Sequence, residues 1–279
     1  MAIKNAFTVD VEEYFQVGAF EKVLDPADWP SLTPRLEQSM DNVLKLMDDA
    51  NIKGTFFILG WIAERYPSVI KKLAAEGHEI ASHGYAHQRA TGQTQEVFKQ
   101  DISSAKTILE DLTGQAVIGY RAPSFSFNKT NPWVYDVLQE AGHQYSSSIY
   151  PVVHDHYGVP DAPRFKYKTP QGLWELPLST MKMGEKNIPI SGGGYFRLYP
   201  YAFTRWAIQK YQRADGQPYI FYMHPWEADP DQPRIKNAPL KSKFRHYLNL
   251  NRVEGRLKTM FKDFEWGRMD SLLAEDSAQ

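Results

Sequence analysis

Short apolar runs that alternate with segments of helical period constrain this chain more than any other feature it has. Residues 6–9 are strand-like, residues 54–60 (GTFFILG) read as a fully buried strand, and residues 79–82, 116–120 and 219–223 repeat the pattern. Between these runs, Leu36, Met40, Val43, Leu44 and Met47 recur on one helical face behind Thr33 and Pro34, a good N-cap and N1 pair. Pro67 opens a second helix that Gly77 closes. Further helices are expected over residues 94–112, 131–141 and 201–213. Repeated strand-then-helix order predicts an α/β fold with a parallel sheet or barrel, whose chemistry lies at the C-terminal ends of the strands. Residues 150–194 are rich in Pro and Gly and read as long loops over the barrel mouth. Residues beyond about Asp229 form a Pro-rich connection and a charged, aromatic helical tail.

Composition removes several functions. The chain has 279 residues, with 32 basic and 33 acidic side chains and a net charge of −1, a balance that argues against nucleic acid as a partner. No apolar run approaches the roughly 18–20 residues that span a bilayer. The absence of cysteine removes disulfides, thiolate metal sites and thiol nucleophiles. Residues 1–5 run straight into the first strand without the apolar stretch of about 7–15 residues of a secretory leader, which predicts a cytoplasmic location.

The residues able to carry chemistry sit at strand ends. SHGYAH places His83 and His87 four residues apart, on one side of a helical turn, a common way to offer two nitrogens to one zinc. Asp10-Val11-Glu12-Glu13 follows the first strand, and a D-x-E spacing there can supply both a third ligand and a base for the attacking water. Arg121, just past the fourth strand, would hold Asp10 ionised and oriented if the two meet. His224 closes the apolar strand IFYM and is a general-acid candidate. His154-Asp155-His156 reads as a solvated loop rather than a second metal site. Gly192, Gly193 and Gly194 are expected to let a backbone turn approach the substrate.

Taken together and in this order, the motifs resemble the NodB-homology polysaccharide deacetylases, carbohydrate esterase family 4, from Phe7 to about Trp226. TVDVEEYFQV, SHGYAH, YRAPSFS, WELPLS, GGGYFRL and YMHPWEADPDQP are similar to the branch associated with exosortase and exopolysaccharide gene clusters. The resemblance implies a deformed (β/α) barrel of seven strands over residues 1–230, with a C-terminal helical extension over 231–279 packed on it. It implies that Asp10 is the base, that His83 and His87 bind a divalent metal, most simply Zn²⁺, and that Ser124 contributes a backbone N–H to the oxyanion. Val11 occupies the family's usual carboxylate-ligand position and cannot coordinate. Glu12 is then the expected ligand, with Glu13 the alternative. The family's aspartate that tunes the catalytic histidine should fall near residues 145–148, where this chain has none, so Glu227 or Asp229 is expected beside His224. Trp174, Trp226, Tyr195 and Arg197 are expected to meet the sugar.

The implied activity is metal-dependent hydrolysis of the N-acetyl group of amino sugars, such as N-acetylglucosamine units, in an exopolysaccharide or its precursor. A cyclic amide or imide hydrolase of the same superfamily and an inactive carbohydrate-binding protein are the alternatives. The partner is an N-acetylated glycan. Without a leader, the chain would meet it before export, on short or lipid-linked precursors at the inner membrane face. No basic cluster or amphipathic anchor is evident, so membrane contact is expected to be transient.

Overall fold

In the computed structural model, residues 3–155 and 157–273 are described. The chain runs β1 (Asn5–Val11), α1 (Leu36–Asp49), β2 (Thr55–Ile58), α2 (Gly60–Arg65), α3 (Pro67–Ala75), β3 (Glu79–Ser82) and α4 (Gln95–Thr113). It continues through β4 (Gly119–Tyr120), α5 (Val134–Glu140), β5 (Tyr145–Ser146), β6 (Tyr167–Lys168), β7 (Trp174–Glu175), β8 (Thr180–Met183) and β9 (Lys186–Pro189). The last elements are α6 (Gly193–Leu198), α7 (Tyr201–Asp215), β10 (Ile220–Met223), α8 (Leu240–Tyr247), α9 (Val253–Asp263) and β11 (Trp266–Gly267).

Seven strands, β10, β1, β2, β3, β4, β5 and β7, lie side by side in that order with every ladder parallel. Their curl is the deformed barrel the sequence led us to expect. β6 adds an antiparallel edge to β7. Across the remaining gap, among the described residues, side chains bond instead of a ladder. Ile220 N–H donates to Ser179 Oγ at 2.9 Å, and Ser191 Oγ donates to Ile220 O at 2.5 Å. Those serines flank the β8–β9 hairpin. Residues 150–194 are therefore not plain loops. They hold four short strands that a Pro/Gly-rich composition conceals.

β1 is buried along its whole length because helices cover one face and the barrel interior the other. Its period of two sends Phe7, Val9 and Val11 into the main apolar core. Thr8 and Asp10 point the opposite way, and Glu12 continues their row. α1 departs from expectation at its start. It begins at Leu36, not at Thr33–Pro34, because Glu13 supplies its cap: the N–H groups of Arg35 and Leu36 both donate to Glu13 Oε1 at 3.0 Å. Elsewhere local chemistry holds, as where Thr94 caps α4 and Gly114, at φ +66°, ends it.

The N-terminal end of the barrel is closed by the last segment. β11 pairs with the start of β1. Met269 N–H then donates to Thr55 Oγ1 at 2.7 Å, and Asp270 N–H to Glu79 Oε2 at 3.0 Å. Burial, with Asp270 close by, pushes the Glu79 carboxyl up to about 7. The opposite end gathers the candidate site.

Candidate active site

Glu12, His83 and His87 bring one ligand atom each to within 4.8 Å of one another. Glu12 and His83 are buried, and Glu12 Oε2 lies 2.9 Å from His87 Nε2 without a hydrogen-bond alignment to any group. His83 follows β3, and its Nδ1 donates to the Arg121 carbonyl at 2.8 Å, which leaves Nε2 available as a ligand. Burial pushes the His83 imidazole down to about 3, so it is neutral, the form that binds metal. Burial alone would raise the Glu12 carboxyl, but His87, His224 and His83 around it hold it below its ordinary value. One buried, partner-poor carboxylate and two imidazoles, His83 oriented by the Arg121 carbonyl, fit a divalent ion of the zinc class. Glu13, spent on capping α1, does not join them.

Asp10 lies beside this trio. Arg121 Nη1 donates to Asp10 Oδ1 at 2.6 Å and to Thr8 Oγ1 at 2.8 Å. Its Nε and Nη2 go to the Ser147 carbonyl and hydroxyl at 3.1 Å each, and the guanidinium lies 4.0 Å from the Phe57 ring centre. Every side of this fully buried cation is occupied, so it fixes Asp10 rather than moving with it. The serines at 146–148, where a tuning aspartate was sought, brace this corner: Ser148 Oγ accepts from Ala122 N–H at 2.9 Å.

His224 stands on the other side of Glu12, its Nε2 3.4 Å from Glu12 Oε1. Its Nδ1 meets Glu227 Oε1 at 3.0 Å, and Glu227 Oε2 accepts from Arg197 Nε at 2.6 Å. Asp229, the other candidate partner, is held by Arg35 through two bonds of 2.8 Å. Burial would lower the His224 imidazolium, but Glu12, Glu227 and Asp10 outweigh it and carry it up to about 9. Burial would likewise raise Glu227, yet Arg197 and His224 bring it down to about 2.

Other expected site residues fall differently. Arg197 is buried, and Nη1 donates to the carbonyls of His246 and Leu248 at 3.0 and 2.9 Å, so it supports Glu227 instead of meeting sugar. Trp226 is also buried, stacked between His224 and His246 with ring centres 5.1 and 4.0 Å away. Trp174 lies toward the N-terminal end of the barrel under Lys166 and Lys168, and Lys166 bonds to the Leu272 carbonyl. Tyr195, half-buried, shares a hydrogen bond with Tyr157 at the mouth. Ser124 is half-buried; it and Phe125 adopt left-handed φ values of +54° and +47°, and His87 does so at +54°. Non-glycine strain of this kind clusters at functional sites. Gly193 permits close approach, but to Glu227: any Cβ there would collide with its carboxylate. His154 stacks on Tyr157 and Asp155 is salt-bridged to Lys241, while His156 lies outside the described residues. Sequence reasoning missed the supporting roles of Thr8, Ser147 and His246. The only signal for Thr8 was its place two residues before Asp10 on a strand.

Residues 28–146 match the family model described as polysaccharide deacetylase, and residues 147–274 match one described as a domain of unknown function, DUF3473. The chain is 35% identical over 81 residues to a peptidoglycan-N-acetylglucosamine deacetylase of Bacillus cereus, covering 29% of this chain and 30% of that protein. It is 30% identical over 114 residues to a peptidoglycan deacetylase of Helicobacter pylori, covering 40% of this chain and 38% of that one. The chain thus spans well under half the length of these relatives. A crystal structure from Mycobacterium smegmatis assigned as a polysaccharide deacetylase superposes with a TM-score of 0.64 at 21% identity, over 99% of this chain and 91% of that one, and shows the shared fold. The boundary between the two matched regions falls within the barrel, directly after β5, so they are halves of one sheet. His83, His87 and Arg121 come from the first half, and Arg197, His224 and Glu227 from the second. Residues 28–146 of this barrel are thus similar to the polysaccharide deacetylases, the residues that complete the site match a domain described as of unknown function, and β1, with Asp10 and Glu12 at its end, precedes both matched regions.

Proposed function

We propose that the chain is a metal-dependent deacetylase that hydrolyses the N-acetyl group of amino sugars, such as N-acetylglucosamine units of an exopolysaccharide or its precursor. The observation that carries this reading is one buried carboxylate, Glu12, faced by three imidazoles, with an arginine-held aspartate on one side and a glutamate-held histidine on the other. Glu12, His83 and His87 would hold the ion, and we take it to be Zn²⁺ from the two-nitrogen, one-oxygen donor set. Bound there, zinc supplies Lewis-acid polarisation of the acetyl carbonyl.

The remaining chemistry belongs to the chain. Asp10 accepts a proton from the attacking water, and Arg121 holds its carboxylate in place. His224 keeps Nδ1–H on Glu227 and delivers a proton from Nε2 to the departing amine. A base and an acid so positioned contribute about 10²–10⁴-fold each. The Ser124 N–H donates to the oxyanion, and the left-handed backbone at Ser124 and Phe125 supports that assignment.

The test is acetate release from chitooligosaccharides and peptidoglycan fragments, before and after chelation and with zinc restored. Release that falls on chelation and returns with zinc is expected. Turnover of a cyclic ureide in place of acetylated glycans would move the chain to the cyclic amide hydrolases, and glycan binding without acetate would make it a binding protein.

A further inference from the structure

Sequence reading finds no basic cluster, but α8 assembles one. Between Asp231 and Glu254 the chain carries Arg234, Lys236, Lys241, Lys243, Arg245 and Arg252 and no acidic residue, in a protein of net charge −1. Leu240 is 83% exposed and Phe244 60%. They are one turn apart on α8, on the side away from His246, the buried residue of that helix. Lys241 and Arg245 form the adjacent row, and both pair with Asp155. Val153, 86% exposed, lies two residues before that carboxylate on the segment it ties to the helix. These three are the most exposed large apolar side chains among the described residues.

Exposed apolar side chains set among cations match a surface that offers hydrocarbon and anionic head groups together. A soluble polyanion would leave Leu240, Phe244 and Val153 without a role, and an apolar protein surface would leave the cations without one. We propose that α8 and Val153 form a docking face for an anionic lipid membrane. The face is coupled to the site through rings: His246, on the inner side of α8, stacks on Trp226, and Trp226 stacks on His224. Docking thus holds the C-terminal end of the barrel strands at the lipid surface. Resting on the deacetylase reading, this makes a membrane-borne glycan, such as a lipid-linked precursor, the substrate class.

The experiment is co-sedimentation of the full chain with phosphatidylcholine vesicles containing roughly 30% phosphatidylglycerol, against pure phosphatidylcholine. Binding should require the anionic lipid and weaken as salt rises from about 0.05 to 0.5 M. The Leu240→Ser/Phe244→Ser and Lys236→Glu/Lys243→Glu variants should each bind at least about tenfold more weakly, with acetate release from soluble chitooligosaccharide unchanged. Equal binding to both vesicle types, no binding, or wild-type affinity in the Leu240→Ser/Phe244→Ser variant would overturn the proposal. So would retention by soluble polyglutamate without vesicle binding. Sedimentation needs no turnover, so this failure is distinct from a failure to release acetate.

Discussion

Replacing Glu227 by Gln would take one charge out of a buried relay of three ionisable groups. The Arg197 and Glu227 side chains are 3% and 1% exposed and meet at 2.6 Å. At about 4 Å between charge centres and an effective dielectric constant of about 20, their attraction is roughly 4 kcal/mol. Stranding a buried cation costs about 3–5 kcal/mol, so Glu227→Gln should lose that much in urea unfolding. The same change removes a negative neighbour from His224, whose imidazolium stands at about 9 partly because of Glu227. Its pKa should fall, and the basic limb of the pH–rate profile for acetate release should move to lower pH. Turnover should drop on the order of 10²–10⁴-fold as the acid loses its orienting partner. The Glu227→Gln/Arg197→Met double variant separates the two effects. It should recover most of the stability, since no charge is left unpaired, and none of the turnover. A single variant that costs under about 1 kcal/mol and leaves the basic limb in place would refute the reasoning.

Metal analysis should find zinc lost from Glu12→Ala but retained in Glu13→Gln, whose deficit of about 1 kcal/mol in urea unfolding reflects the weakened cap on α1; the reverse pattern would exchange the two roles. Asp10→Asn should keep zinc and lose about 10²–10⁴-fold in turnover, whereas loss of metal with activity would make Asp10 a ligand. Glu79 makes stability depend on pH in the unusual direction. Its folded pKa of about 7 exceeds the ordinary 4.5, so the folded state holds more protons in that window. Its contribution is full below 4.5 and is lost as pH rises through 7, by about 3 kcal/mol. The wild-type decline in urea midpoint over that range should be absent from Glu79→Gln.

What the sequence disclosed was what local periodicity encodes. Short apolar runs and a helical period of 3.6 located the main strands and helices, whereas His83 and His87 meet through an irregular bend with left-handed Gly84 and His87, not through the helical turn that their spacing suggested. Glu12 and Glu13 are adjacent in sequence, and nothing local tells them apart. The phase of β1 and the need of a helix 23 residues away for a cap divide them. Trp226 and Arg197 were expected against sugar because such side chains often are. Their burial depends on α8, which reaches them only through tertiary packing. The β6 to β9 strands were hidden because two- to four-residue strands have almost no period to read.

The pairing of β1 with β10 has a consequence for the order in which the molecule is made. Thr8 bonds to Phe221 across 213 positions of chain. At roughly 5–20 residues per second, the ribosome takes about 10–40 s after making β1 to supply its partner. Through that interval one edge of β1 is open, and Asp10 has no His224 to face it. Closing so long a loop carries a large entropic cost before any contact rewards it, which makes this step slow. Asp10 and His224, the proposed base and acid, meet only when the barrel seam closes, so a nascent or truncated chain that ends before residue 224 would carry the proposed ligands Glu12, His83 and His87 without the proposed acid.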